Sequence, residues 1–358
     1  MIPITPQPFL GVGFHAVGAF SAANCYAPQK YIKRWSWEIF WLVQAAFCWF
    51  LWPIIGACLT IPDLGAVLAE APKDRMLWSF LMGVAYGVGG TAFNVSIRYI
   101  GFSLTYSIAV GLSSVLGTLV PPLVRGQFGD IASKIGSGWV FGGVAAGALG
   151  IAICGVAGRF KEGDLKARVG GAGEFSLSKG LMLSLIAGAL SAVYGFALEV
   201  AAPIADIAEQ HGAGCWRGNV SYIFANSGAF LTALIYSLYL ARKNRSLGEL
   251  TKLKTGEERG SLVANYLLAI ATGTLWYGQF FFYNLGHVRL GKQYAFSSWA
   301  IHMILLVLFS NLVAIAFKEW KSCRGRTHAA IGFGLVVLCA AVLLLTYGNY
   351  LGDASSSH

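Results

Sequence analysis

Charge is what this chain has least of. Only 12% of its 358 residues are Asp, Glu, Lys or Arg, about half the share of an ordinary soluble domain. No charged residue stands between Lys134 and Arg159, none from Tyr99 to Val124, and none from Gly218 to Ala241. A helix needs about 20 apolar residues to cross a hydrocarbon core of roughly 30 Å, and these runs reach that length. Paired cysteine spacing is missing too. Cys25, Cys48, Cys58, Cys154, Cys215, Cys323 and Cys339 are scattered, mostly within apolar runs, and read as buried free thiols rather than as a disulfide framework or metal site. No Lys or Arg precedes Lys30, so the first apolar stretch lacks the basic start of a signal peptide and reads as a retained span. Neither His-Glu-x-x-His nor a Gly-x-Ser-x-Gly elbow occurs, which removes the usual parts of a membrane-embedded hydrolase. Neither a metal nor a cofactor is expected, and the chain does not read as an enzyme.

What is present is apolar length, repeated. Hydrophobic residues make up 56% of the chain, and 45 glycines accompany them. Glycine is common in membrane helices because small residues let backbones approach closely. Candidate spans fall at about 8–27, 38–60, 76–97, 101–123, 138–158, 180–201, 218–241, 262–285, 293–317 and 329–351. Backbone groups inside a bilayer must be satisfied within the segment, so runs of this length are helices. The fold class expected is therefore an all-α polytopic membrane protein of ten transmembrane helices, with membrane lipid as its solvent. The net charge of +10 does not point to nucleic acid, because the Lys and Arg residues are spread over short loops. The loops after spans one, three, five, seven and nine hold three, one, five, six and four of them, a total of 19, against 7 elsewhere. The positive-inside bias then places those loops in the cytoplasm and both termini on the outer face of the bacterial inner membrane.

The chain also looks doubled. Gly18-Ala-Phe-Ser-Ala22 matches Gly188-Ala-Leu-Ser-Ala192, and Asn94 to Gly101 matches Asn284 to Gly291. Two halves of five spans each, 1–170 and 171–358, must insert with opposite orientation. A 5+5 inverted repeat is an architecture of secondary transporters, where one part rocks against the other around a central site. Gly83 with Gly87, and Gly143 with Gly147, keep the four-residue spacing of close helix packing. Gly286 to Gln293 comes near a phosphate-binding loop but lacks the Ser or Thr that holds magnesium, and no strand precedes it. No nucleotide partner is expected.

Ionisable groups at membrane depth are costly, and function is the first explanation for them. His15 falls near the middle of span one and His302 near the middle of span nine; Glu38 opens span two and Glu199 closes span six. His302, His15 and Glu38 are the candidate proton-coupling residues; the alternatives are neutral histidines merely hydrogen-bonded to a neighbouring helix, and a solvated or helix-capping role for Glu38 and Glu199. Asn94, Gln279 and Asn284 add amides, and Trp276 stands in a run of aromatics, Trp276-Tyr-Gly-Gln-Phe-Phe-Phe-Tyr283. An aromatic face for the C–H side of a ring, with amides for hydroxyls, suits a sugar, so Asn94, Trp276, Gln279 and Asn284 are the candidate substrate-binding residues. Trp35, Trp37, Trp41 and Trp320 read instead as an interfacial aromatic belt.

With these residues in view the chain resembles the bacterial L-rhamnose–proton symporter family, within the drug/metabolite transporter superfamily. The resemblance runs through Ser21-Ala-Ala-Asn-Cys-Tyr-Ala-Pro28, Lys33-Arg-Trp-Ser-Trp-Glu38, Arg98-Tyr-Ile-Gly101, the Trp276–Tyr283 run, Gly286-His287, Ser298-Trp-Ala-Ile-His302-Met303 and Lys318-Glu-Trp320. It implies ten membrane helices and proton-driven uptake of a 6-deoxyhexose, so the expected partners are L-rhamnose or a similar sugar and a proton. The pattern is broken at Ala295, where the family carries an acidic residue nearby, and at Glu199, where it carries an uncharged amide. A related transporter of another metabolite, including an exporter, and a non-transporting sugar sensor are the rival readings.

Overall fold

The structure, a computed structural model, describes residues 7–25, 27–100, 102–169, 176–252, 259–290 and 295–356. Among these residues it is helical, with no strand. In chain order the first half contributes α1 (Pro8–Asn24), α2 (Trp37–Ala45), α3 (Trp52–Thr60), α4 (Leu64–Glu70), α5 (Lys73–Ile100), α6 (Phe102–Val124), α7 (Phe128–Ala132) and α8 (Ser137–Val169). The second half contributes α9 (Leu177–Val200), α10 (Ala202–Gln210), α11 (Asn219–Lys243), α12 (Arg259–Arg289), α13 (Ser298–Ala316) and α14 (Gly325–Ser356). Among the described residues, eight helical stretches are long and apolar enough to cross a bilayer. The spans expected at 8–27 and 262–285 are helical too, but fall outside that set. At 17 residues α1 is short, and α12 carries Asn265, Thr272, Gln279 and Asn284 among its apolar residues.

Local chemistry explains the breaks. Pro53 has no N–H, and in an α-helix its ring would press on the carbonyl of Trp49. The chain answers with a wider π turn over Ala46–Leu51, in which Trp52 N–H reaches back to the Phe47 carbonyl. Tandem prolines 121 and 122 precede the end of α6, where Gly126 turns left-handed and Gln127 N–H caps the Pro122 carbonyl at 2.9 Å. The same closure ends α11 and α13, as Ser246 N–H bonds the Ala241 carbonyl at 2.9 Å and Glu319 N–H the Ala314 carbonyl at 3.0 Å. There the left-handed residues are not glycines but Arg245 (φ 55°) and Lys318 (φ 59°), a conformation that costs an L-residue about 1–2 kcal/mol.

Packing divides the chain into two compact units, one of Asn24–Val88 with Ala197–Phe281 and one of residues 2–23, 89–196 and 282–358. Each draws on both halves of the sequence. In the first unit α11 lies against α2, the π turn and α3. Backbones of α5 and α11 meet at two glycines: a Cβ on Gly83 would strike the Ala225 carbonyl, and one on Gly228 the Phe80 carbonyl. Gly87 faces Thr232, whose hydroxyl donates to the Val84 carbonyl at 3.0 Å. The four-residue spacing of Gly83 and Gly87 thus marks a real crossing.

In the second unit α8 and α14 run together along a seam with a seven-residue period. A Cβ on Gly143 would lie 2.6 Å from Leu345 Cγ, and one on Gly150 2.7 Å from Leu338 Cδ2. Gly136, seven residues earlier, faces the Gly348 carbonyl, while Gly147 meets Ile304 of α13. Small residues against leucines at this period give a tightly interlocked pair. The other face of α14 is bare: Phe333, Val336 and Leu343 are 60%, 66% and 70% exposed. Apolar groups outside as well as inside fit a lipid solvent.

Candidate functional site

Each unit holds a buried cluster that bears on the candidate residues. In the second unit His15 of α1 and His302 of α13 come together, both buried, with ring centroids 5.7 Å apart. Gly286 of α12 makes this possible, since a Cβ there would sit 2.7 Å from the His15 ring. Ser298 Oγ lies 2.9 Å from His15 Nε2. Tyr283 stands edge-on to both imidazoles, at 5.1 Å from His15 and 5.4 Å from His302, and stacks on His287 at 5.9 Å. Trp299 completes the wall: its indole N–H donates to the Ser113 carbonyl at 3.1 Å, and its ring occupies the space that Gly117 leaves free. The Nδ1 atoms of His15 and His302 have no hydrogen-bond partner among the described residues. Two imidazolium charges 5.7 Å apart would repel by about 3 kcal/mol at an effective dielectric of about 20. That repulsion disfavours a doubly protonated pair.

In the first unit Trp276 of α12 is gripped by two indoles. Trp41 lies 5.7 Å from it and Trp49 5.2 Å, both edge-to-face, and Trp49 in turn meets Tyr86 at 6.2 Å. The π turn carries Trp49 into this group. Such pairs add about 0.5–1.5 kcal/mol each beyond area burial. Around them are buried polar atoms with no hydrogen-bond partner among the described residues: both amide atoms of Gln44, the Trp49 indole nitrogen and the Tyr277 hydroxyl. Each such group costs about 1–3 kcal/mol when left unmatched.

The residues expected from sequence distribute as follows. His15 and His302 meet directly. His302, however, lies in the second turn of α13 rather than near its middle, because that helix begins at Ser298 after a 3-10 turn over Ala295–Ser297. Trp276 and Gln279 are in the first unit and Asn284 in the second; Gln279 and Asn284 are buried. Asn94 is on α5, and its side chain lies outside the described residues, as does that of Ala295. Glu38 is buried in the first unit, and its Oε1 accepts from Asn244 Nδ2 at 2.9 Å and Ser246 Oγ at 2.7 Å. That geometry ties the start of α2 to the end of α11. Glu199 is half-buried at the end of α9.

The belt reading of the tryptophans needs correcting. Trp35, Trp41 and Trp320 are buried within the protein. Trp35 donates to the Glu249 carbonyl at 2.9 Å, and Lys161 sits over the Trp320 ring at 4.7 Å. Proximity to charged loop residues suggested an interface, but helix packing covers these rings. Sequence reasoning also passed over Gln44, Trp49, Ser298 and Asn349. Asn349 is buried and donates to Ser297 Oγ at 3.0 Å. Only the isolation of these polar residues within apolar runs could have marked them.

Apolar helices, outward-facing hydrocarbon side chains and imidazoles sealed inside the bundle define a multi-pass membrane protein. Its described residues hold no cluster of His, Cys, Asp and Glu able to bind a metal. The family of the L-rhamnose-proton symport protein (RhaT) matches over residues 6–350, and the chain belongs to it. That is a family of transporters, not enzymes. Among its relatives, the L-rhamnose-proton symporter of Cronobacter sakazakii is 33% identical over 340 residues, 95% of this chain and 97% of that protein. Those of Salmonella paratyphi A and Salmonella gallinarum are 34% and 33% identical over the same shares.

Proposed function

We propose that this protein imports L-rhamnose together with a proton across the bacterial inner membrane, using ten membrane helices in a 5+5 inverted repeat. The observation that carries the reading is family membership over residues 6–350, with relatives that bear the name of this activity. The buried His15–His302 pair supplies chemistry for the proton, since imidazole is the side chain that titrates nearest physiological pH in water. One proton moving down 100 mV yields about 2.3 kcal/mol, and one pH unit about 1.4 kcal/mol more. That supports roughly several hundredfold accumulation without nucleotide.

Support for the repeat comes from matching contacts. Ser96 Oγ donates to the Gly180 carbonyl at 2.8 Å, and its counterpart Gly286 lies against the Gly11 carbonyl. The compact units also cut both halves at similar places, Asn24–Val88 and Ala197–Phe281. The loop charges favour external termini. Cysteines placed in the 242–261 loop of an otherwise Cys-free protein should then be protected from an impermeant thiol reagent in intact cells. Labelling as fast as a cysteine after Leu351 would reverse the orientation.

The decisive experiment is uptake of labelled 6-deoxyhexoses and hexoses into proteoliposomes under an imposed pH gradient. L-Rhamnose should accumulate when the interior is alkaline and leak out when a protonophore is added. Sugar-driven proton movement in the opposite direction would make the protein an exporter.

A further inference from the structure

We propose that the contact between α2 and α12 is the sugar-recognition site, with Gln44 and Tyr277 reading hydroxyl groups and Trp49 and Trp276 forming its walls. This rests on the sugar-transport reading above and deepens it by joining Gln44, Trp49 and the Tyr277 hydroxyl to Trp276.

Several positions show that these groups share one place. On α12, Gly273, Trp276 and Tyr277 are at the spacing of a single helix face. A Cβ on Gly273 would lie 2.7 Å from the Gln44 carbonyl and 2.9 Å from Phe47 Cβ, so this face presses on α2 and the π turn. One turn on, Trp276 meets Trp41 and Trp49. Beside it the Tyr277 hydroxyl is lodged over Gly56 of α3, where any Cβ would displace it. Gln44 follows Trp41 by one turn and is 0% exposed.

The chemistry narrows the ligand. Gln44 offers an unmatched donor and an unmatched acceptor, Tyr277 a hydroxyl that can be either, and Trp49 an N–H donor. Neighbouring hydroxyls on a sugar ring present that alternation of donors and acceptors. Indole faces suit the C–H side of the ring and a 6-methyl group. None of these side chains carries a charge, so an anionic metabolite would find no counter-ion among them. Buried polar groups that the fold leaves unmatched ask for an explanation, and a polyol ring answers all three residues at once.

The test is equilibrium binding of labelled L-rhamnose to the purified full-length protein, alongside its thermal unfolding. Tyr277→Phe, which removes only the hydroxyl, should weaken binding tenfold or more with an unchanged melting temperature. Gln44→Leu should weaken binding by at least as much with an equal or higher melting temperature, since an unmatched amide is removed. Deoxy analogues of L-rhamnose identify the contact: one should bind tenfold more weakly than the parent sugar to the native protein, yet equally to Tyr277→Phe. Trp320→Ala, in the other unit, is the control and should bind as the native protein does. Native affinity in both Gln44→Leu and Tyr277→Phe would overturn this site while leaving rhamnose transport intact. A native protein that binds none of L-rhamnose, L-fucose, L-mannose and D-glucose would end the sugar reading and the site with it. Displacement by choline but by no sugar would make the indoles a cation cage and also overturn the proposal.

Discussion

Along α8 and α14 the second unit is closed by glycines facing leucines, and elsewhere in that unit several polar groups are answered inside the protein. Ser96 Oγ reaches Ser184 Oγ at 2.7 Å and the Gly180 carbonyl at 2.8 Å, and Trp299 reaches the Ser113 carbonyl. Around α2 and α12 the backbones meet at Gly273, tryptophans gather beside that contact, and Gln44, Trp49 and Tyr277 keep polar atoms unmatched. Close packing has few alternative arrangements, because small displacements lose many contacts at once. A group of large rings with unmatched polar atoms gains by receiving something. The first region is framework; the second is the one proposed above to take up sugar. In that unit His15 and His302 keep unmatched Nδ1 atoms, as Thr118 and Trp320 keep an unmatched hydroxyl and an unmatched indole nitrogen, so the task proposed for the two imidazoles rests on their meeting each other.

The largest effect should come from breaking the framework. Gly143→Leu would drive a side chain into Leu345 and the Ala341 carbonyl, so no monodisperse folded protein is expected on size exclusion in detergent. Gly142→Leu, next to it but with nothing within 4 Å of its Cβ direction, should purify normally. Equal behaviour of the two would dissolve the contrast between the framework and the proposed sugar site.

Next in size is the imidazole pair. His302→Gln should keep sugar exchange but lose accumulation under a pH gradient, falling from several hundredfold to about onefold. His15→Gln should weaken accumulation less. A His302→Gln protein that still concentrates sugar would make the pair a packing feature and turn attention to Glu38.

Smaller still, Trp276→Ala should raise the apparent dissociation constant for sugar about tenfold, as expected for loss of a stacking face worth on the order of 1 kcal/mol or more. Trp320→Ala should leave affinity alone and cost only stability, because Trp320 is buried under Lys161. Similar affinities in the two variants would erase the functional difference between the regions. The smallest expected change is a gain: Arg245→Gly should raise unfolding stability by roughly 1 kcal/mol, read by thermal unfolding, because glycine adopts the left-handed cap at no steric cost.

The helices were legible because apolar length is a local property, and the glycine crossings because their spacing is too. Gly143 and Gly147 announced a contact face; the extension of that face to Gly136 and Gly150 needed the partner helix, whose leucines keep the same period. His15 and His302 could each be flagged as costly in an apolar run, yet their meeting across most of the chain could not be read from either neighbourhood. Glu38 was ambiguous for the same reason: its partners Asn244 and Ser246 lie more than 200 positions away. Nothing in the sequence around Pro53 says that the chain absorbs it as a π turn that carries Trp49 onto Trp276. Trp41 was misread because proximity to a charged loop does not say which way a ring faces.

Arg245 and Lys318 give the left-handed caps a meaning for how the protein is made. On the orientation proposed above, both stand on the cytoplasmic side, among the basic residues that hold the chain back from crossing. The strain they carry is present for as long as the protein stays folded, while their charge matters during the moments when each hairpin chooses its side. A glycine at both caps should therefore give molecules that melt later but emerge from the ribosome with a larger misoriented fraction. On that orientation, the two caps would be places where biogenesis outweighs endurance.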